Sequence, residues 1–100
     1  MASKDGFELP GGRVIRLSGI DVLGLPFEGV MYQGRFVPAS IASSRMKADK
    51  VKQDEIDQRL SATHWGLILM MRGGGEVPVI CTSKTNAEGW FHQIKGLLLN

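Results

Sequence analysis

Residues 65–82 read Trp65-Gly-Leu-Ile-Leu-Met-Met-Arg-Gly-Gly-Gly-Glu-Val-Pro-Val-Ile-Cys-Thr82, which is an apolar run, a glycine-rich loop and a second apolar run. The first run, residues 65–71, is apolar at both alternating sets of positions, a pattern typical of a central strand. The second run, residues 77–82, returns with β-branched residues and predicts the hairpin partner. Pro78 cannot donate to a strand ladder, so one side of this strand is expected to be unpaired.

Further strands are predicted before this hairpin, where apolar and β-branched residues lie between turn signals. They cover residues 13–23 with a bulge near Gly19, residues 27–32 and residues 35–38. Gln33 and Gly34 fit a two-residue hairpin turn between the last two of these strands. The many glycines of the chain, 13 in 100 residues, therefore belong mainly to turns and bulges.

Two helices are predicted from the remaining sequence. Residues 43–60 contain neither Gly nor Pro, and Ser43 or Ser44 is the expected N-cap. The apolar stripe of this helix is thin, so it covers a sheet partly or, alternatively, meets a partner helix. The last helix has a continuous apolar face, and Thr85 with Glu88 matches the capping-box pattern at its start.

The resulting fold is α+β, with a small curved antiparallel sheet of about five strands and two helices in the order β-β-β-α-β-β-α. Residues 1–12 contain few large apolar side chains and are expected to form a flexible N-terminal lead-in. Residues 13–100 then form a single domain, because two domains in a chain of 100 residues would each be near the lower size limit for burying a core.

Residues 77–94, Val-Pro-Val-Ile-Cys-Thr-Ser-Lys-Thr-Asn-Ala-Glu-Gly-Trp-Phe-His-Gln-Ile, resemble the last strand and closing helix of pleckstrin-homology domains. In that family a Trp on the helix is followed four residues later by an aliphatic residue, as Trp90 is followed here by Ile94. The resemblance covers about a fifth of the chain. The helix at residues 43–60 and the shortage of strands before it depart from that fold, so the sequence assigns no family.

Charge and composition narrow the function classes. The chain carries 12 basic and 10 acidic residues, and no segment is strongly polarised, so charge alone predicts no phosphate-binding surface. No apolar run approaches the roughly 20 residues of a membrane span. The first residues carry no apolar stretch typical of a secretion signal, and the single cysteine, Cys81, fits a reducing compartment. We therefore expect a cytoplasmic protein without membrane association.

Signatures of catalysis and of metal or cofactor binding are absent from the sequence. Cys81 lies in a strand pattern, where a buried structural thiol is the usual state. Neither His64 nor His92 has metal-ligand spacing, and the glycines at residues 73–75 are followed by a strand rather than by a helix, unlike a phosphate loop. We expect no catalytic residue, no metal and no cofactor, and a small enzyme using His64 or Cys81 is the weakest alternative.

The leading interpretation is a small non-enzymatic binding or regulatory module, such as an inhibitor, that docks on another protein and self-associates. A half-covered sheet and five methionines indicate apolar surface left after folding. The expected contact residues are Phe27, Tyr32, Arg35, Phe36, Met70, Met71, Arg72 and Gly74. The alternative is a protein that binds single-stranded nucleic acid through sheet aromatics, including Trp65, and neighbouring arginines, including Arg13 and Arg16.

Overall fold

The computed structural model describes residues 5–99, which form seven strands and three helices. The strands are β1 (Gly6–Glu8), β2 (Val14–Arg16), β3 (Ile20–Leu23), β4 (Phe27–Tyr32), β5 (Arg35–Pro38), β6 (His64–Met71) and β7 (Glu76–Cys81). The helices are α1 (Ala39–Ala48), α2 (Gln53–Leu60) and α3 (Lys84–Leu98), and a 3-10 turn spans Leu17–Gly19. Every pair of strands is antiparallel, so the predicted α+β class is confirmed.

Strand β6 is the centre of the five-stranded sheet. One of its edges pairs with β7 from Trp65 to Met70. The other edge pairs with β4 near the start of β6 and with β3 near its end. Between β3 and β4 the chain turns at residues 24–26, and the Gly24 amide donates to the Ile68 carbonyl at 3.0 Å. The hairpin and central strand predicted from residues 65–82 are thus confirmed.

Helix α3 packs on one face of this sheet, called here the inner face, and forms the first core with it. The small β1–β2 sheet closes the side of this core, where the ring of Phe7 meets that of Trp90 edge to face at 5.7 Å. The buried residues of the first core are Leu9, Ile15, Ile20, Leu67, Leu69, Val77, Val79, Cys81, Ala87 and Ile94. Burial of each large aliphatic side chain here contributes about 1.5–3 kcal/mol.

A second core lies between the β4–β5 hairpin and the two central helices. Its buried residues are Val30, Tyr32, Val37, Ala42, Met46 and Ile56. The Tyr32 hydroxyl donates to the Asp49 carboxylate at 2.6 Å, which ties strand β4 to the end of α1. Gln33 and Gly34 both have positive φ, as a type I′ turn requires, so the two-residue turn predicted between the strands is confirmed.

The single helix predicted over residues 43–60 is wrong, because two helices occupy this part of the chain. Helix α1 begins directly after Pro38, earlier than either predicted serine cap. It ends at Ala48, and Lys50 takes a left-handed conformation with φ of 60°. The Val51 amide then donates to the Met46 carbonyl, and the Val51 side chain packs on the second core. The break therefore results from tertiary packing in a segment without Gly or Pro.

The start of α3 also differs from the prediction based on Thr85 and Glu88. Ser83 is the N-cap, and its hydroxyl accepts a hydrogen bond from the Asn86 amide at 3.0 Å. The Asn86 side chain in turn accepts from the Thr82 amide at 3.3 Å. The helix therefore begins two residues earlier than predicted, because the Ser83 and Asn86 side chains accept hydrogen bonds from backbone amides at its start, in a variant of the capping box.

The N-terminal segment carries more structure than the predicted flexible lead-in at residues 1–12. Residues 1–4 of that segment lie outside the described residues. Strand β1 pairs with β2, and Leu9 is buried in the first core, because two large apolar side chains suffice to anchor a short strand. The strand predicted over residues 13–23 is divided by the 3-10 turn, with β2 and β3 in separate sheets.

Two glycine substitutions test this packing with one matched pair. A Cβ at Gly66 would lie 2.4 Å from the Val79 carbonyl oxygen and 2.9 Å from the Phe36 ring. We expect Gly66→Ala to lower the free energy of unfolding by about 1–3 kcal/mol, as overpacking does. Gly89 lies inside α3 with open space around its Cα, so Gly89→Ala should raise stability by up to about 1 kcal/mol. Urea denaturation measures both, and equal effects of the same sign would contradict this packing.

Candidate docking surface

The face of the sheet opposite α3, called here the outer face, carries a row of apolar side chains. Paired residues on neighbouring strands lie on the same face. The register places Val22 beside Met70, and it places Ile68 beside Pro78. The apolar side chains of the outer face are Val22, Phe27, Met31, Phe36, Pro38, Ile68, Met70, Pro78 and Ile80.

Exposure distinguishes the two faces of the sheet. On the inner face, Leu67 and Leu69 are fully buried under α3. On the outer face, Val22 is 51% exposed and Ile80 is 37% exposed, while Ile68 and Met70 are half-buried. The fold therefore leaves a contiguous apolar strip in contact with water, which is the usual property of an interaction site.

An aromatic pair holds the β4–β5 hairpin against the outer face. The rings of Phe27 and Phe36 stack with centroids 4.9 Å apart and an interplanar angle of 25°. The Phe36 ring lies over Gly66, where the missing side chain leaves room for it. Phe36 is consequently only 3% exposed and forms the floor of the outer face rather than a free contact.

A groove of about 460 Å³ lies between the tip of the β4–β5 hairpin and the tip of the β6–β7 hairpin. The Arg35 guanidinium spans it and donates two hydrogen bonds to the Glu76 carboxylate, of which the one from Nε is 3.2 Å long. Both side chains are partly exposed, so this ion pair contributes at most about 1 kcal/mol to stability. The lining residues are Gly34, Arg35, Phe36, Ile68, Gly74, Glu76 and Pro78.

The structure brings together five of the eight residues predicted as contacts. Phe27, Phe36 and Met70 belong to the outer face, and Arg35 and Gly74 line the groove at one end of it. The other three lie elsewhere in the molecule. They are Tyr32, which is buried in the second core, Met71, which packs against the first core, and Arg72, whose Nε donates to the Ser18 carbonyl at 3.0 Å.

Six apolar residues of the outer face were not among the predicted contacts, namely Val22, Met31, Pro38, Ile68, Pro78 and Ile80. Counting outward from the middle of the glycine loop pairs Ile68 with Ile80, two residues away from its observed partner Pro78, but it still places the even-numbered residues of both strands on one face. That register predicts which side chains share a face, but the apolar run of β6 looks buried on both faces. The sequence alone therefore does not show that the helices of the described residues leave one face of β6 uncovered.

The two residues considered for catalysis are separated by the sheet. Cys81 pairs with Trp65 on the inner face and is buried, and this burial raises the pKa of its thiol. His64 precedes Trp65, so its side chain projects to the outer face. The two side chains therefore do not form a dyad. Within residues 5–99, no three His, Cys, Asp or Glu side chains are grouped so as to hold a metal ion.

A second cleft, of about 860 Å³, lies between the 3-10 turn and the end of α3. Three of its polar lining residues, Asp5, Ser18 and Arg72, form hydrogen bonds within the chain. The Asp5 carboxylate accepts hydrogen bonds from the Ser18 hydroxyl at 2.7 Å and the Ser18 amide at 2.8 Å, and these bonds lower the pKa of Asp5. Arg72 donates to the carbonyl of the same serine. These bonds connect the segment before β1 to the five-stranded sheet.

Comparisons with known protein families, with curated proteins and with solved structures find no match for this chain. The resemblance of residues 77–94 to pleckstrin-homology domains corresponds in the structure to β7 and the first part of α3. None of the helices in the described part of the chain is both long enough and apolar enough to cross a membrane.

Tyr32 is the single tyrosine of the chain, so its titration can be followed directly. The hydrogen bond to Asp49 raises the pKa of Tyr32 above its ordinary value of 10.0. Below pH 10 the Tyr32 hydroxyl is protonated in both the folded and the unfolded protein, and the full stabilisation from this bond is present. This stabilisation is lost as pH rises through the pKa of Tyr32 in the folded protein. We expect phenolate absorbance to appear at higher pH in the native protein than in urea.

The Asp49→Ala variant is the control for this titration. It removes the acceptor and the negative charge, so its native midpoint should move toward the value measured in urea. Identical midpoints for the native and the urea-unfolded wild-type protein would contradict the Tyr32–Asp49 bond.

Proposed function

We propose that this protein is a small non-enzymatic binding module that docks on another protein through its outer face. The observation that carries this proposal is the apolar strip running from Val22 through Met70 and Ile68 to Ile80, which the helices of the described residues leave open. Covering such a strip with a partner lowers the free energy, because burial removes apolar surface from water.

Charge favours a protein partner over nucleic acid. Among the described residues that the register assigns to the outer face, Glu76 is the side chain charged at neutral pH, and it is paired with Arg35. Binding of a nucleic acid strand depends on basic groups that neutralise phosphates. Arg35 and Arg72 are both engaged within the chain. Arg13 and Arg16 lie at β2, in the separate two-stranded sheet.

The aromatic side chains are also poorly placed to stack on bases. Phe36 and Tyr32 are buried, and the Phe27 ring is already stacked on Phe36. The Trp65 ring belongs to the inner face, where Lys84 Nζ lies 5.5 Å from its centroid. Sequence-independent binding of single strands requires open aromatic faces along a basic groove. The geometry therefore supports docking by apolar contact.

The outer face is a better docking surface than the free edge of β7. The Met71 amide donates to the Gly75 carbonyl at 2.7 Å. Because hydrogen-bonded pairs alternate along an antiparallel ladder, every second residue of β7 after Gly75, beginning with Val77, bonds to β6. Glu76, Pro78 and Ile80 then direct their backbone groups to the opposite edge. Pro78 lacks an amide proton at the middle of that edge, and a proline in this position discourages strand addition.

A photo-crosslinking side chain placed at position 22 or at position 14 tests the docking surface. Both positions hold an exposed valine, but Val14 lies on β2, away from the outer face. We expect crosslinks to protein from position 22 and far fewer from position 14 when the labelled chain is irradiated in lysate of its own cells. Equal yields at the two positions would contradict a docking surface on the outer face. Crosslinks to nucleic acid from position 22 would favour the alternative function.

A further inference from the structure

We infer that the partner that covers the outer face is a second copy of this chain, packed face to face about a two-fold axis. This inference rests on the proposed docking function and adds the identity of the partner. Sheets that pack face to face lie about 10 Å apart and interdigitate the side chains of their facing surfaces. Half-buried Met70 and exposed Val22 and Ile80 are accessible on the outer face for packing of this kind.

The accessible surface of the chain is larger than that of an average compact monomer of the same mass. Its accessible surface is 6606 Å², whereas a compact monomer of 10.9 kDa exposes about 5600 Å². The excess of about 1000 Å² is similar to the roughly 800 Å² that each partner buries in an interface of standard size. The radius of gyration, 15.2 Å, also exceeds the value of about 13 Å for 100 residues.

The elongated shape follows from the two separate cores. The principal extents are 54 × 29 × 21 Å, with α3 and its sheet forming one core and α1, α2 and the β4–β5 hairpin forming the other. The outer face extends along the strands that connect the two.

The charge pattern is suited to pairing with itself. A two-fold interface sets the same surface patch on both copies against each other, so a patch of one sign would repel itself. Here Glu76 and Arg35 neutralise each other within each copy. The register also places the ionisable side chain of His64 on the outer face. A neutral apolar strip can therefore face its own copy without opposed like charges.

The oligomeric state of the purified chain and three variants tests this inference. Val22→Lys and Ile80→Lys place charges on the outer face at exposed positions, and Val14→Lys is the matched control on β2. Light scattering across a range of protein concentrations should give twice 10.9 kDa for the wild type and for Val14→Lys. We expect both outer-face variants to weaken dimerisation at least tenfold. Their urea midpoints for the monomer should remain close to that of Val14→Lys, because all three positions are exposed.

Each outcome separates the second copy from the wider docking proposal. A dimer that survives both outer-face lysines would overturn the inference, since another surface must then hold it together. A wild-type chain that is monomeric at all concentrations, while position 22 still crosslinks to a different protein, would overturn the second copy and leave the docking function intact. A monomer with no crosslinks specific to position 22 would overturn both.

Discussion

Strand β6 forms hydrogen bonds on both of its edges, and the rest of the molecule is arranged around this constraint. A strand bonded on both edges can bury or expose its side chains only above and below the sheet. Leu67 and Leu69 are covered by α3 on the inner face, whereas Ile68 and Met70 occupy the alternate positions on the outer face. The division between the buried core and the exposed apolar outer face is therefore a consequence of the alternation of side chains along one strand.

Gly66 connects this strand to the second half of the molecule. Because it has no side chain, the Phe36 ring can lie over the backbone of β6, and the β4–β5 hairpin is held there by the stacked Phe27 ring. The opposite side of the same hairpin carries Val30 and Val37, on which α1 and α2 pack. One missing side chain thus allows two small cores to share a single curved sheet in a chain of 100 residues.

Local patterns predicted the parts of the fold whose causes are local. The β6–β7 hairpin and the turn at Gln33 and Gly34 follow from apolar runs and from residues that accept positive φ. The break after α1 depends on the distant contact between Tyr32 and Asp49 and on the burial of Val51, which no pattern within the helical segment reveals. The outer face was only partly predicted for a related reason. The sequence of β6 is apolar on both faces of the strand. Which of these faces α3 covers depends on the whole fold.

Pro78 sets a limit on how far assembly can proceed. A chain with an apolar sheet face and an open strand edge has two ways to associate, and using both at once produces layers that grow without end, as in fibrils. With a proline in the middle of the β7 edge, growth in the hydrogen-bonding direction along that edge is discouraged, while contact between faces remains available. The proposed two-fold contact between faces would close on itself and give a complex of fixed size.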